Sequence, residues 1–254
     1  MVVEFETQDR IAIITLNRPD ARNAVNGDVA AGMEAALDRF EEDPELWVAI
    51  LKGNGPTFCA GADLKEIAAG NGAALSTKKG GFAGLVQRER SKPLIAAITG
   101  GALAGGTEVA LSCDLIVCSE ETVFGLPEVK RSLVAAAGGL FRLPRAIGKA
   151  AALECIMTGD PLPSERAYQL GMVNKVVPTD QVIAEAHALA DRIMANAPLA
   201  VQASRAVAVN ALVDDDEALW AASGKAMAKI FGTEDFKEGP KAFIEKRAPK
   251  WQGK

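Results

Sequence analysis

Two glutamates, Glu108 and Glu128, are the side chains of this sequence best suited to moving protons. Glu108 is followed by three apolar residues, and burial there would raise its carboxyl pKa towards the range useful for proton transfer. A solvent-facing glutamate on an amphipathic helix is the alternative. Glu128 comes twenty residues later, directly after a proline, and Pro-Glu also commonly begins a helix. Two carboxyl groups in different environments are a common acid–base pair, so the sequence predicts proton chemistry wherever the fold brings both together.

Two turns rich in glycine and alanine could supply backbone amides to such a site. The first, Phe58–Glu66, leads from a predicted strand into a predicted helix, with Asp63 near the start of that helix. The second, Gly100–Asp114, contains the pair Gly105-Gly106, which allows another group to approach the backbone closely. The first N–H groups of a helix have no intrahelical acceptor and can bind an oxyanion. An ordinary tight turn is the alternative for the first segment, and neither segment is a dinucleotide fingerprint or a P-loop.

Histidine and cysteine limit the other possible chemistries. His187 is the only histidine, which excludes a multi-histidine metal site within one chain and leaves a single ring for any hydrolase triad. We expect it to be a packed or interface residue of a late helix. The four cysteines lack C-x-x-C spacing, so we expect buried thiols rather than a zinc ribbon or a thioredoxin-type site. No metal is expected.

Charge and hydropathy narrow the class of protein further. The 254 residues carry a net charge of −5, and the basic residues are dispersed, which argues against nucleic acid as a partner. The longest apolar region, Gly101–Cys118, contains Glu108 and Asp114 and is therefore not expected to span a membrane. The first predicted strand begins almost at the N-terminus, so we expect no cleaved targeting peptide. We expect a cytoplasmic protein.

Alternating strands and helices must position these residues. Short β-branched runs indicate strands at 12–16, 47–51, 94–98 and 115–118. Helical spacing predicts helices over 28–40, over 183–194 with Asp180 as its cap, and over 215–231. The glycine-rich stretch 68–84 predicts a mobile loop. This order favours an α/β fold, with a core over residues 1–195 and a helical region over 196–254.

Eight motifs extend this interpretation. They are Asn17–Ala24, Cys59–Lys65, Lys92–Gly100, Gly105–Asp114, Phe124–Glu128, Gly138–Leu143, Leu170–Asn174 and Phe243–Arg247. In their order and spacing they resemble the crotonase (enoyl-CoA hydratase/isomerase) family over nearly the whole chain. The resemblance implies a spiral of β-β-α units with a helical C-terminal trimerisation region, assembled as a homotrimer or as a hexamer (a dimer of trimers).

The same resemblance implies an enoyl-CoA hydratase, which reversibly adds water to a 2-enoyl-CoA and gives a 3-hydroxyacyl-CoA. The backbone N–H groups of Ala62 and Gly105 would form the oxyanion hole for the thioester carbonyl. Glu108 and Glu128 would hold the water, with Glu108 activating it for attack and Glu128 supplying a proton to the α-carbon. Neither a metal nor a cofactor is implied, because coenzyme A is part of the acyl-CoA thioester substrate.

Recognition of coenzyme A is implied at residues that precede or surround the first turn. Arg22 would lie near the phosphates, and the other implied contacts are Ala60, Ala62, Asp63, Leu64 and Gly105. Further candidates are Lys65, Phe243 and Lys246, the last two acting on a neighbouring subunit. Asp63 and Lys65 could equally be a helix cap and a solvated charge.

Several residues depart from the common hydratase pattern and leave the acyl group open. Ala104 stands where a third glycine is frequent, and Ala135–Ala137 replaces a Pro-Gly-x sequence. Gly80–Leu85 and Glu245–Trp251 look like the carnitinyl-CoA dehydratase (crotonobetainyl-CoA hydratase) branch, which is therefore one alternative. Others are an enoyl-CoA isomerase and, from another class, a catalytically silent acyl-CoA-binding protein. Chain length, trimer or hexamer, and pathway remain open.

Overall fold

A computed structural model describes residues 1–254 as twelve strands and ten α-helices. The strands are β1 (Val3–Gln8), β2 (Ile11–Leu16), β3 (Val48–Gly53), β4 (Thr57–Cys59), β5 (Ser76–Thr77), β6 (Gly81–Phe82), β7 (Leu94–Ile98), β8 (Gly101–Leu103), β9 (Leu115–Ser119), β10 (Val123–Gly125), β11 (Leu162–Pro163) and β12 (Lys175–Val177). The helices are α1 (Gly27–Glu42), α2 (Leu64–Ala68), α3 (Gly105–Ala110), α4 (Gly139–Ile147), α5 (Lys149–Thr158), α6 (Ser164–Gln169), α7 (Val182–Met194), α8 (Pro198–Ala208), α9 (Asp216–Phe231) and α10 (Glu234–Glu245).

The strands form a spiral of two sheets. The main sheet has the order β1-β2-β3-β7-β9-β12 and is parallel from β2 onward, whereas the second sheet has the order β11-β10-β8-β4. Each turn of the spiral places one strand in the main sheet and the next strand in the second sheet, and a helix follows. The pairs β3–β4, β7–β8 and β9–β10 repeat this arrangement. This is the β-β-α spiral that the family resemblance of the sequence implies.

The main sheet is buried on both faces, as parallel sheets generally are. Along β3, Val48 and Ile50 pack with Ala186 and Ala190 of α7 on one face of the sheet. The alternating residues Ala49 and Leu51 belong to the larger core on the other face. Because side chains alternate along a strand, a continuous apolar run can fill both cores. This explains why the predicted strands read as unbroken β-branched runs, and all four are found within one or two residues of their predicted bounds.

Two local predictions were wrong. Asp180 does not cap α7, whose N-cap position is Gln181 without a side-chain hydrogen bond. The stretch 68–84 is not a featureless loop but contains the hairpin β5–β6. Its residue Thr77 hydrogen-bonds to Glu34 of α1, and Lys79 pairs with Asp38 of the same helix. Polar contacts with a helix some forty residues earlier therefore hold this segment in place.

The C-terminal helices α8, α9 and α10 follow the spiral and expose many large apolar side chains. Arg205 of α8 binds Asp114 at 2.7 Å, and Asp114 also binds Arg90 at 3.0 Å, which ties α8 to the end of α3. Beyond α8, Trp220 is 78% exposed and Phe243 is 83% exposed. No helix of the structure is long and apolar enough to cross a membrane.

Candidate active site

One cavity of about 740 Å³ collects most of the residues singled out from the sequence. It is lined by Arg22, Ala60, Ala62, Leu64, Gly105, Glu108 and Glu128, together with residues from the hairpin and from the segment before α4. The first two turns of the spiral supply the amides and Glu108, and the third supplies Glu128. The fold thus brings the two carboxylates and the two amide segments to the same cavity.

The N–H of Ala62 points away from Val25, which forms backbone hydrogen bonds with the residues on either side of Ala62. The N–H of Val25 donates to Gly61 O at 2.8 Å, and the N–H of Asp63 donates to Val25 O at 2.9 Å. Since successive peptide groups of an extended chain point in opposite directions, the amide of Ala62 points the other way, and no backbone acceptor is found for it. Ala62 lines the cavity, so this donor is available there.

The N–H of Gly105 is a second available donor beside the first. Gly105 is the first residue of α3, so its amide has no intrahelical acceptor. The turn at Gly61 packs directly on it, since a Cβ built on Gly61 would lie 2.7 Å from the nitrogen of Gly105. At Gly106 a Cβ would overlap the carbonyl oxygen of Cys59. The glycines therefore allow two backbone segments to approach closely enough to aim both amides into one cavity.

Ala104 has a backbone conformation that alanine rarely adopts. Its φ of 52° and ψ of −126° place it in a region favoured by glycine. The ψ angle of Ala104 sets the direction of the next peptide group, which carries the N–H of Gly105. Strained residues of this kind cost about 1–3 kcal/mol each and cluster at functional sites. The strain here orients one of the two donors.

We expect Ala104→Gly to stabilise the protein while preserving the site. Relief of strain should outweigh the extra entropy of an unfolded glycine, giving a net gain of about 1 kcal/mol. The midpoint temperature of thermal unfolding should rise by roughly 2–4 °C. Ala221→Gly, on the exposed face of α9, is the matched control and should lose about 1 kcal/mol. Equal destabilisation by both substitutions would show that Ala104 is not strained.

Glu108 is a buried carboxylate with specific hydrogen-bond donors. It is only 3% exposed, and its Oε1 accepts a hydrogen bond from the N–H of Gly139 at 2.9 Å. Burial raises the pKa of Glu108 from its usual 4.5 to about 7, although the amides of Gly139 and Ala137 and the charge of Arg142 oppose this shift. The sequence-based expectation of a buried Glu108 is therefore confirmed, and the solvent-facing alternative is excluded.

Glu128 stands in a 3-10 turn over Pro127–Arg131 and, like Glu108, lines the cavity. Burial raises its pKa, while its own backbone amide and Arg131 oppose the shift. Its Oε2 is buried without a hydrogen-bond partner in the protein. The negative charge of Glu128 also raises the pKa of Glu108. Like charges at one site disfavour the ionisation of both carboxyl groups at once.

A buried hydroxyl joins the helix of Glu108 to the strand that precedes Glu128. Thr107 Oγ1 donates to Ala102 O at 2.6 Å and accepts from the N–H of Gly125 at 3.0 Å. Thr107 belongs to α3, whereas Gly125 ends β10, three residues before Glu128. This side chain, together with the backbone pairing of β8 and β10, therefore helps to set the relative placement of the two carboxylates.

The remaining cavity wall is mostly apolar and comes from two segments. Residues 133–137 contribute Leu133, Val134, Ala136 and Ala137, and the hairpin contributes Phe82. A Cβ on Gly105 would lie 2.5 Å from the ring of Phe82, so this ring packs directly against the amide turn. Sequence reasoning missed Phe82 because it treated the hairpin as a mobile loop. An aromatic residue between glycines was the available signal.

Several predicted candidates lie outside this cavity lining. The carboxylate of Asp63 caps α2 by accepting from the N–H of Lys65 at 3.1 Å and binds Arg18 at 3.2 Å. These contacts favour the helix-cap interpretation of Asp63. Phe243 and Lys246, in and after α10, are also absent from the lining.

Neither the cysteines nor the histidine lines the cavity. His187 is half-buried in α7, on the far side of the main sheet. All four cysteines are free thiols, and burial raises the pKa of Cys59 to about 11. No group of three or more His, Cys, Asp or Glu side chains is arranged to hold a metal ion.

Comparison with known proteins gives a consistent result. The family model described as Enoyl-CoA hydratase/isomerase matches residues 6–254. A mevalonyl-coenzyme A hydratase of Aspergillus fumigatus is 40% identical over 99% of this chain and 94% of its own length. A carnitinyl-CoA dehydratase of Salmonella typhi is 40% identical over 95% of this chain and 94% of its own. The solved structure of an enoyl-CoA hydratase from Mycobacterium tuberculosis H37Rv is similar with a TM-score of 0.95 and 46% identity, covering 100% and 99% of the two chains.

Proposed function

This chain belongs to the enoyl-CoA hydratase/isomerase family, and from that premise we propose that it is a hydro-lyase acting on acyl-CoA thioesters. It reversibly adds water to a 2-enoyl-CoA and gives a 3-hydroxyacyl-CoA. The observation that carries the proposal is the pair Glu108 and Glu128. Both carboxylates face one cavity, both have a raised pKa, and two unpaired backbone amides lie beside them.

The reaction needs a base that accepts a proton from water and an acid that donates a proton to the α-carbon. A water held between the carboxylates loses a proton to Glu108 as its oxygen attacks the β-carbon. The double-bond electrons move towards the thioester oxygen, where the amides of Ala62 and Gly105 stabilise the developing negative charge. Glu128 then protonates the α-carbon. One ionised and one protonated carboxyl group are required together. Burial raises the pKa of both groups, and the charge of Glu128 raises that of Glu108 further, which disfavours ionisation of both at once.

Coenzyme A would enter from the side of Arg22. This exposed side chain lines the cavity, and its carbonyl accepts from the N–H of Ala60 at 3.0 Å, so the cation and the amide turn are held together. Leu64 and Ile67, both exposed at the same rim, offer an apolar surface for the adenine. The oxyanion donors stand between this rim and the carboxylates, where the thioester carbonyl must lie. No further cofactor is needed for these steps.

The decisive experiment follows the loss of enoyl-thioester absorbance with crotonyl-CoA, a long-chain 2-enoyl-CoA and crotonobetainyl-CoA. Hydration of at least one substrate supports the proposal. If acyl-CoA binds with a measurable Kd but none of the three is hydrated, the chain is the catalytically silent binder. Movement of a 3-enoyl double bond without hydration would instead identify an isomerase.

Arg131 favours a hydratase over a carnitinyl-CoA dehydratase. Residues three apart in a 3-10 turn are eclipsed, so Arg131 projects on the same side as Glu128, and both line the cavity. Its guanidinium has no carboxylate partner, whereas neighbouring Lys130 binds Asp160 at 2.9 Å. A cation on the cavity wall, even one whose charge also acts on Glu128, repels a trimethylammonium group in the same cavity.

We therefore expect kcat/KM to be at least about fivefold lower for crotonobetainyl-CoA than for crotonyl-CoA, because like charges at a solvated site cost about 1 kcal/mol. Arg131→Gln should bring the kcat/KM values for the two substrates closer together, and the control Lys130→Gln should leave the difference between them unchanged. Steady-state kinetics with both substrates gives the answer. A wild-type preference for crotonobetainyl-CoA would favour the dehydratase instead.

We also propose a homotrimer or a dimer of trimers, in a cytoplasmic location consistent with four free thiols. The large exposed apolar side chains on α9 and α10 support an interface there. They include Trp220, Met227, Phe231, Phe243 and Ile244. Sedimentation equilibrium should give a mass of three or six chains, and Trp220→Glu should shift it towards one chain. A monomeric wild-type protein would contradict the assembly.

A further inference from the structure

Arg142 of α4 connects the three segments that surround Glu108. Its Nη1 donates to Ser112 Oγ at 3.1 Å and to Ala137 O at 3.4 Å, and its Nη2 donates to Val86 O at 2.5 Å. Ser112 Oγ in turn donates to the carbonyl of Glu108 at 2.7 Å. One guanidinium thus joins the end of α3, the segment before α4 and the segment after the hairpin.

No carboxylate forms an ion pair with Arg142, although its side chain is partly buried. All of its hydrogen-bond acceptors are neutral. Burial lowers its pKa, and the charge of Glu108 is the largest influence in the opposite direction. An arginine that remains charged without a paired acid leaves its positive charge available to Glu108, the anion that most strongly raises its pKa.

The Gly138-Gly139 pair makes room for both charged groups. A Cβ on Gly138 would overlap Nη1 of Arg142, and a Cβ on Gly139 would lie 3.1 Å from Oε1 of Glu108. Gly138 also has a φ of 110°, a conformation that favours glycine. The backbone at the start of α4 therefore separates the guanidinium from the carboxylate by about one peptide group and contacts both.

We propose that Arg142 is a positioning residue for Glu108. It holds residues 137–139, whose amides face the Glu108 carboxylate, and it supplies the positive charge that favours the ionised form of that carboxylate. The inference rests on the proposed role of Glu108 as the base. It concerns a residue that does not touch the substrate, because Arg142 is absent from the cavity lining.

The charged surroundings of Glu108 determine the direction of the expected effect. Glu128 raises the pKa of Glu108, and Arg142 lowers it. Arg90 and Arg145 lie near Arg142 and lower the pKa of its guanidinium. Without the charge of Arg142, the carboxylate of Glu108 loses stabilisation and its pKa rises. The fraction of ionised Glu108 at pH 7 therefore falls.

The test compares Arg142→Gln with Arg142→Lys in hydration kinetics over pH 5–9. For Arg142→Gln we expect kcat to fall about tenfold with KM changed less than about threefold, since the residue acts on the base rather than on binding. The acidic limb of kcat/KM should move up by at least about half a pH unit. Arg142→Lys keeps the charge and should restore the acidic limb, although its kcat stays lower because the fork of hydrogen bonds is lost.

Arg145→Gln is the matched control. Arg145 is an exposed arginine of the same helix and stacks on Phe141 at 5.1 Å, so its loss should leave both kcat and the acidic limb near wild type. If Arg142→Gln has the wild-type acidic limb, or if it lowers activity equally at every pH together with the melting temperature, the inference is overturned. If Arg142→Gln does not fold, Arg142→Lys must still show the wild-type acidic limb of kcat/KM together with a reduced kcat.

A direct titration separates this inference from the proposed function. In protein labelled with 13C-carboxyl glutamate, the Glu108 signal is assigned by its absence in Glu108→Gln. Its midpoint should be higher in Arg142→Gln than in wild type, and this measurement requires no turnover. If wild-type protein hydrates nothing while the midpoint still shifts, the proposed function fails and the electrostatic role of Arg142 stands. An unshifted midpoint overturns the inference whatever the activity.

Discussion

Glu108→Gln and Glu128→Gln should each lower kcat by about a hundredfold to ten-thousandfold, the usual contribution of a positioned acid or base. Each substitution keeps the shape of the side chain but removes its ability to exchange a proton. KM for crotonyl-CoA should change little, because the carboxylates act on the reacting atoms rather than on coenzyme A. Steady-state kinetics and circular dichroism of each variant provide the measurement.

The control for these variants is Glu89→Gln, which alters an exposed glutamate outside the cavity and should leave kcat unchanged. Stability supplies a second check on Glu108. Its pKa in the folded protein is raised to about 7 from the usual 4.5, so folding favours the protonated form. Wild-type stability should therefore fall as the pH rises through this interval, and Glu108→Gln should lack that fall. Full activity in either glutamine variant would exclude the role assigned to that carboxylate.

Gly106→Ala should cause the second large loss of catalytic activity. A Cβ at this position would overlap the carbonyl oxygen of Cys59, so α3 must move away from β4. That movement separates the amides of Ala62 and Gly105, and losing one oxyanion donor typically costs about 2.7–4 kcal/mol in the barrier. We expect kcat to fall about a hundredfold or more. Overpacking should also lower the free energy of unfolding by about 1–3 kcal/mol.

Gly101→Ala is the matched control, because a Cβ there meets only ordinary contacts at 3.7–3.9 Å. Its kinetics should remain near wild type. Urea unfolding of both variants separates the loss of stability from the loss of rate, provided that activity is measured where each variant is folded. Wild-type kcat in Gly106→Ala would mean that the close approach of α3 to β4 is not needed for the oxyanion site.

The sequence predicted those parts of the structure that depend on local pattern. The β-branched runs indicated four strands of the main sheet, and the apolar neighbours of Glu108 indicated its burial. Asp215 was also identified correctly as a helix boundary, since its side chain accepts from the N–H of Ala218 at 2.9 Å. In each case the residues that decide the structure lie within a few positions of one another.

What the sequence did not predict depends on distant partners. The hairpin is fixed by Glu34 and Asp38 of α1, and the strain at Ala104 follows from the packing of two turns of the spiral. Arg142 could not be singled out from local pattern, because its acceptors include Val86, fifty-six positions earlier. Polar contacts between distant segments leave no periodic signal, so only the folded structure identifies them.

The hydroxyl of Thr107 has a consequence for how such a protein can diversify. It couples α3 to β10 and, with the backbone pairing of β8 and β10, helps to hold the two carboxylates and the oxyanion amide of Gly105 in one rigid body. The apolar wall at residues 133–137 lies outside that body. Substitutions in the wall can therefore change which acyl group fits without displacing the groups that add water. The reaction can be inherited unchanged while the substrate range drifts.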